Sequence, residues 1–202
     1  MRVISLWQPW AMFVPWREKN NETRSWFTSY RGPLLIHASK NIPGWVKQLW
    51  YEEPFTSVLM RHGVEPHLRQ LPFGQVVGIC NLVDCVMIAG RTTVNGITAA
   101  AHLENKQIIT GNELAFGDYS PGRFAWVLDN IHQLKVPIPA KGMQGLWNWD
   151  ESTYMVSIDP YAIGSTKIWT SKGVISGRKL EEPIEDGLEG PDQDAVEGLE
   201  VA

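Results

Sequence analysis

Apolar positions in this chain change period several times. Val3-Ile4-Ser5-Leu6 is a short apolar run that predicts a strand, and Pro9 sits where a short helix to about Arg17 would begin, with Pro15 bending or ending it. Leu34 to His37 predicts a second strand. Pro43 opens a helical stretch to about Arg61, with Trp45, Leu49 and Val58 to Met60 as apolar positions, divided by Pro54 and ended by Gly63. Gln75 to Ala89 carries Val76, Val77, Ile79, Leu82, Val83, Val86, Met87 and Ile88, which is too apolar for a surface element and predicts a long, bent core strand. Thr92 to Ala115 has no single period. Thr98 to Gln107 is compatible with a helix, and Gly111-Asn112-Glu113 with the cap of one helix and the start of another. After the turn-rich Phe116 to Arg123 come a strand at Phe124 to Leu128, a turn at Asn130 and a strand at His132 to Ile138. The sum is an α+β chain: a small mixed β-barrel with helices packed outside it.

One polar stretch interrupts this framework. Glu18-Lys19-Asn20-Asn21-Glu22-Thr23-Arg24-Ser25-Trp26 lies between the first two strands. If 22–26 is extended, Glu22, Arg24 and Trp26 share a face. An indole to stack on, a guanidinium fork for phosphate or a base edge, and a carboxylate for exocyclic amines would suit a nucleobase. The competing reading is an exposed Glu22–Arg24 ion pair beside a core Trp26.

The 202 residues, 44% of them apolar, suffice for one core. Charge is uneven: residues 1–177 hold 16 Lys and Arg against 13 Asp and Glu, while 178–202 hold 2 against 9. The net charge of −4 therefore conceals a globular part of +3. The expected organisation is a domain over 1–150, an extension over 151–177, and a disordered acidic tail over 178–202, which has no aromatic residue. Cys80 and Cys85 have no partner motif and read as reduced packing residues, pointing to opposite faces if they share one regular strand. The acids Asp84, Glu104, Glu113 and Asp118 lack metal-ligand spacing, so neither a metal nor a cofactor is expected. The N-terminal run, broken by Gln8 and Pro9, does not read as a secretory signal, and no apolar run reaches ~18 residues, so the expectation is a cytoplasmic protein without a membrane partner. Ten Trp are too many for complete burial, and some are expected to line a cleft.

Four segments together resemble the ASCH domain of bacterial and phage type: Ile4-Ser5-Leu6-Trp7-Gln8-Pro9-Trp10-Ala11, Lys19-x-x-Glu22-x-Arg24-Ser25-Trp26, Tyr30 to Lys40, and Gly117 to Trp126. The resemblance spans about 1–150. It implies a PUA-like barrel with a cleft bordered by the Lys19 to Arg24 segment, and a role in RNA or nucleotide biology. Two positions depart from the family's pattern. Arg17 stands where the motif has a Gly, which would permit positive φ, and Glu22 stands where small relatives that hydrolyse acetylated cytidine have Thr. Lys19 matches their Lys; Glu113 is the nearest candidate for their further Glu.

The resulting expectation is a binder of RNA or a modified nucleoside, with Gln8, Lys19, Glu22, Arg24, Trp26, Tyr30, Ser39, Lys40 and Arg123 as ligand-binding residues. The alternative is a hydrolase of an acylated pyrimidine nucleoside, or a ribonuclease, with Lys19 and Glu22 catalytic. His37, the histidine nearest these segments, reads as a hydrogen-bonded framework residue. Whether the protein is an enzyme, and whether it has a protein partner, stays open at this level.

Overall fold

The apolar run that begins at Gln75 is the spine of the fold. In the computed structural model, which describes residues 1–66, 70–149, 155–158, 166–170 and 173–175, the elements follow the order β1 (Arg2–Leu6), α1 (Trp10–Phe13), β2 (Asn21–Arg24), β3 (Gly32–Ala38), α2 (Gly44–Leu49), α3 (Phe55–Arg61), β4 (Gln75–Val94), β5 (Ile97–Leu103), β6 (Ile108–Ile109), α4 (Gly111–Ala115), β7 (Phe124–Pro139) and β8 (Leu146–Asn148). Strands β9 (Met155–Ile158), β10 (Thr166–Thr170) and β11 (Gly173–Ile175) pair antiparallel in the order β11-β10-β9. The acidic tail expected over 178–202, and most of the 151–177 extension, lie outside the described residues.

The main sheet runs β2-β7-β4-β3-β1-β8, with β5 and β6 branching from β4. Among the described strands of this sheet, only β1 and β3 pair in parallel. The expected barrel is not closed. Closure would need a ladder between β2 and β8, and these end strands have only four and three residues.

Two neighbouring residues of β1 show how the sheet is covered. Ile4 enters a large core with Phe13 of α1, Val58 and Leu59 of α3, Leu34, Ile36, Leu82 and Trp126. Val3 points the other way, to Leu35, Ile79, Leu134 and Trp147. Period-two alternation thus feeds two cores, and the first three helices contribute to one of them. The close approach of the chain after α1 to β4 depends on Gly78, where a Cβ would fall 2.7 Å from Pro15 Cγ and 3.0 Å from the His132 carbonyl.

Several sequence expectations change here. Thr98 to Gln107 is not helical: β5 pairs with β4, and Ala101 and Leu103 join Ile88, Ile109 and Tyr119 in a third core. The predicted break at Asn130 is absent as a turn, because β7 continues through it with Asn130 at φ 48°. Cys80 and Cys85 do not face opposite ways in effect. The β4–β7 register slips by one between Leu82 and Asp84, so the alternation restarts and both thiols enter the same core. Both are free, and burial pushes the Cys80 thiol up to about 12, consistent with a packing role.

Candidate functional site

Between α1 and β2 the chain reverses in a tight turn whose backbone is tied to the helix: Glu18 N and Lys19 N both donate to the Phe13 carbonyl, at 2.9 and 3.1 Å. Arg17 takes φ 61° in this turn. The left-handed conformation that a glycine would adopt freely is thus held by an arginine, whose Nη2 donates to Ile131 O at 3.0 Å. The turn delivers Lys19 inward at 1% exposure.

Lys19 Nζ donates to the Asn21 carbonyl and stands 3.4 Å from Glu22 Oε2. Glu22 Oε1 is 3.2 Å from Arg24 Nη2. The alternation of β2 therefore brings Glu22 and Arg24 to one face, with the carboxylate shared between a sealed ammonium and a partly exposed guanidinium. Arg24 Nη2 also reaches Ser5 O at 3.5 Å, and its Nε is buried without a partner. Burial of this triad is tolerable because each charge has an opposite neighbour.

Arg24 and Glu22 line a cleft of about 1500 Å³. Backbone hydrogen bonds stitch together the strand ends beneath it: Ser39 N to Leu6 O at 2.8 Å, Gly74 N to Ala38 O at 2.8 Å, and Ala140 N to Gly74 O at 3.0 Å. One wall is aromatic. Trp7 and Trp45, 41% and 55% exposed, meet edge to face at 5.7 Å, and Trp10 lies 6.4 Å from Trp45. Lys40 and Lys141 add positive charge and make no ion pair among the described residues. The acidic lining is largely compensated: Asp118 is met by Arg123 at 3.2 Å and Arg91 at 3.4 Å. Hydrogen bonds from Ser120, with those two guanidiniums, hold its carboxyl below the usual range against a smaller opposing effect of burial.

Of the residues expected to bind ligand, Glu22, Arg24, Ser39 and Lys40 line this cleft. Lys19 stands behind Glu22. Gln8 is buried, donating from Nε2 to Pro72 O at 2.7 Å. Trp26 follows the end of β2 and packs edge-on against Trp126 at 4.7 Å, while Trp126 itself is fully buried. Tyr30 bonds the Pro33 carbonyl at 2.5 Å and receives the Arg2 guanidinium over its ring. Arg123 is engaged with Asp118. Glu113 accepts from Asn20 N at 2.6 Å, Asn21 N at 3.1 Å and Tyr119 OH at 2.8 Å, so its carboxylate anchors the start of β2.

His37 lines the cleft floor and is 1% exposed. Its Nε2 is 3.1 Å from Ala140 O, so this nitrogen carries the hydrogen, and Nδ1 can accept from Ser5 Oγ at 3.1 Å; Ser5 Oγ in turn accepts from Trp147 Nε1 at 3.1 Å. Burial depresses the imidazole's pKa, opposed by the Ala140 hydrogen bond. A neutral ring with both nitrogens engaged is a framework element. A Cβ on Gly142 would lie 2.3 Å from His37 Cε1, so any larger residue there forces the ring or the segment to shift. Trp7, Trp45, Lys141 and the segment 142–145 were not named as site residues from the sequence, where Trp45 reads only as an apolar helix position and Trp7 as part of a family-like segment; the abundance of Trp was the one signal for the aromatic wall. Among the described residues no group of three or more His, Cys, Asp or Glu is gathered to hold a metal ion, and no helix is long and apolar enough to cross a membrane.

The described strands form an open mixed sheet with a cationic, tryptophan-walled cleft at its strand ends. The chain belongs to the ASCH domain family, whose model matches residues 4–137. It is also similar to Activating signal cointegrator 1 of Mus musculus and of Homo sapiens, each 27% identical over 154 residues. Those residues are 75% of this chain and 22% of either relative, so the match covers about a fifth of their length.

Proposed function

We propose that the protein binds RNA or a modified nucleoside in the cleft bordered by Arg24. Membership of the ASCH family supports a nucleic-acid ligand. The observation that carries the reading is the meeting of a partly exposed guanidinium, two lysines with no ion pair among the described residues and exposed indoles around one hollow. Cations neutralise phosphate and steer it in, and a base stacked on an indole gains about 1–3 kcal/mol. Trp7 and Trp45 have surface to offer; Trp126 has none.

A second reading, hydrolysis of an acylated pyrimidine nucleoside, rests on Glu22 in the cleft lining with Lys19 behind it. Glu22 would activate water and Arg24 would steady the oxyanion, with Lys19 acting through Glu22.

Native mass spectrometry of the purified protein against nucleosides, acetylated cytidine and short RNAs tests both. Retention that weakens tenfold or more in Arg24→Ala, with folding intact, supports binding. Equal binding by wild type and Arg24→Ala across a salt series removes the proposal. Deacylated product from wild type, lost in Glu22→Gln, would convert the binder into an enzyme.

A further inference from the structure

The cleft has a neighbour across Lys40. A second cavity of about 450 Å³ shares Lys40, Asn41 and Phe73 with it and continues along Lys47, Trp50 and Tyr51. The two hollows therefore have a common wall, and the shared side chain that carries charge is a lysine.

The second cavity repeats the chemistry of the first. Its back is apolar: Trp50 is 3% exposed, its Nε1 donates to Gln8 O at 3.3 Å, and the Phe73 ring lies near-parallel to it, centroids 6.4 Å apart at an interplanar angle of 12°. Its front offers Tyr51, 64% exposed. Lys47 is exposed, in the last turn of α2, and makes no ion pair among the described residues. The acids that follow Tyr51, Glu52 and Glu53, do not line the cavity.

Size points the same way. Pockets for one small ligand occupy roughly 300–1,000 Å³, and the main cleft alone exceeds that range. A free nucleoside would leave much of it, and all of the second hollow, filled with water. Cations and aromatic faces in two adjacent hollows that share Lys40 match a strand of alternating phosphates and bases.

We infer that the ligand is single-stranded RNA of at least two nucleotides, with one base in the main cleft, the intervening phosphate at Lys40, and the next nucleotide in the second cavity between Lys47 and Tyr51. This rests on the reading of the main cleft as a nucleotide site. Lys40 is the pivot because it borders both hollows. Tyr51 supplies the second stacking face and Lys47 the second phosphate contact.

The experiment is a chain-length series. Mixed-base ribonucleotide mono-, di- and trimers with a 5′ phosphate are titrated calorimetrically into wild type, Lys47→Ala and Tyr51→Ala at three salt concentrations. Both substituted side chains are exposed, so the variants should fold. The wild type should gain about 5- to 150-fold in affinity from monomer to dimer, the range expected of one stacked base. Tyr51→Ala should lose most of that gain while binding the monomer as the wild type does. Lys47→Ala should lower the slope of log K against log salt for the trimer by about 0.7, one phosphate on a single strand. Monomer binding without a length-dependent gain overturns the inference and leaves the proposed function standing. A gain that persists in both variants overturns it too, because the second nucleotide then lies elsewhere. Failure of every RNA to bind removes the proposed function itself.

Discussion

The Glu22 carboxylate meets the Arg24 guanidinium at 3.2 Å on the cleft wall, and its other oxygen faces Lys19 at 3.4 Å from the protein interior. One acid thus separates a structural cation from an accessible one. The two cations of the motif should respond differently to removal.

Lys19→Ala leaves a hole and a carboxylate that has lost its interior partner. It should destabilise the protein by about 2–4 kcal/mol. Arg24→Ala, at a side chain 26% exposed, should cost less than about 1 kcal/mol. Urea denaturation of both variants checks this; similar losses would show that Arg24 is as structural as Lys19.

Arg17 holds a positive φ that costs a non-glycine residue about 1–3 kcal/mol, offset by its bond to Ile131 O. Arg17→Gly relieves the backbone and loses the bond, so its stability should stay within about 1 kcal/mol of wild type. Arg17→Val keeps the strain, adds β-branching and loses the bond, and should cost about 2 kcal/mol or more. If valine proves as stable as glycine in thermal melts, the left-handed turn is not what this position demands.

The His37 imidazole, depressed by burial, gives a signed pH effect. The unfolded chain titrates near 6.5 and binds more protons than the native state below that point. The contribution is therefore intact above about pH 6.5 and declines as pH falls toward the native value. His37→Gln should flatten the fall in Tm between pH 7.5 and 5.5 relative to wild type. A parallel fall in both proteins would place the titrating group elsewhere.

Ser5→Ala removes the hydroxyl between Trp147 Nε1 and His37 Nδ1. Two buried polar atoms lose their partner, at a cost of about 1–3 kcal/mol. Ser5→Thr, which keeps the hydroxyl, should recover part of it in the same denaturation experiment.

Gly142→Ala places a methyl group where His37 Cε1 already lies. The segment 140–145 must lift, since the strand carrying His37 is locked on both sides by β1 and β4. The expected outcome is a shifted His37 ring resonance and altered ligand affinity, because this segment lines the cleft. An unchanged spectrum with unchanged affinity would mean that the segment yields without consequence.

Much of the framework is local in origin and could be read directly. The apolar density from Gln75 onward specifies a buried strand, Pro15 and Pro54 end or divide helices, and Gly63 at φ 71° follows α3. The alternation of Glu22 and Arg24 places them on one face because strand geometry has period two. Beyond that, local rules fail for identifiable reasons. The Thr98 to Gln107 stretch has helix-compatible residues but joins a ladder on β4, and that partner is invisible to local propensity. The inserted residue near Val83 resets the facing of Cys85, and nothing short of the β7 register reveals it.

The same division holds for the site. Sequence by itself determined the family, the motif that supplies Arg24 and Glu22, and the abundance of indoles, since these depend on residue identity and short spacing. Tertiary structure alone decided that Lys19 is sealed inside, that Trp126 is core while Trp7 and Trp45 face the hollow, and that Lys40 borders two cavities. Exposure depends on what arrives from distant parts of the chain: β2 and β4 flank Trp126 on β7 and Trp26 packs against it, α2 carries Trp45 to Trp7, and the Ala140–Gly145 segment roofs His37. Such meetings are settled by packing across the sheet, which no single stretch of residues encodes.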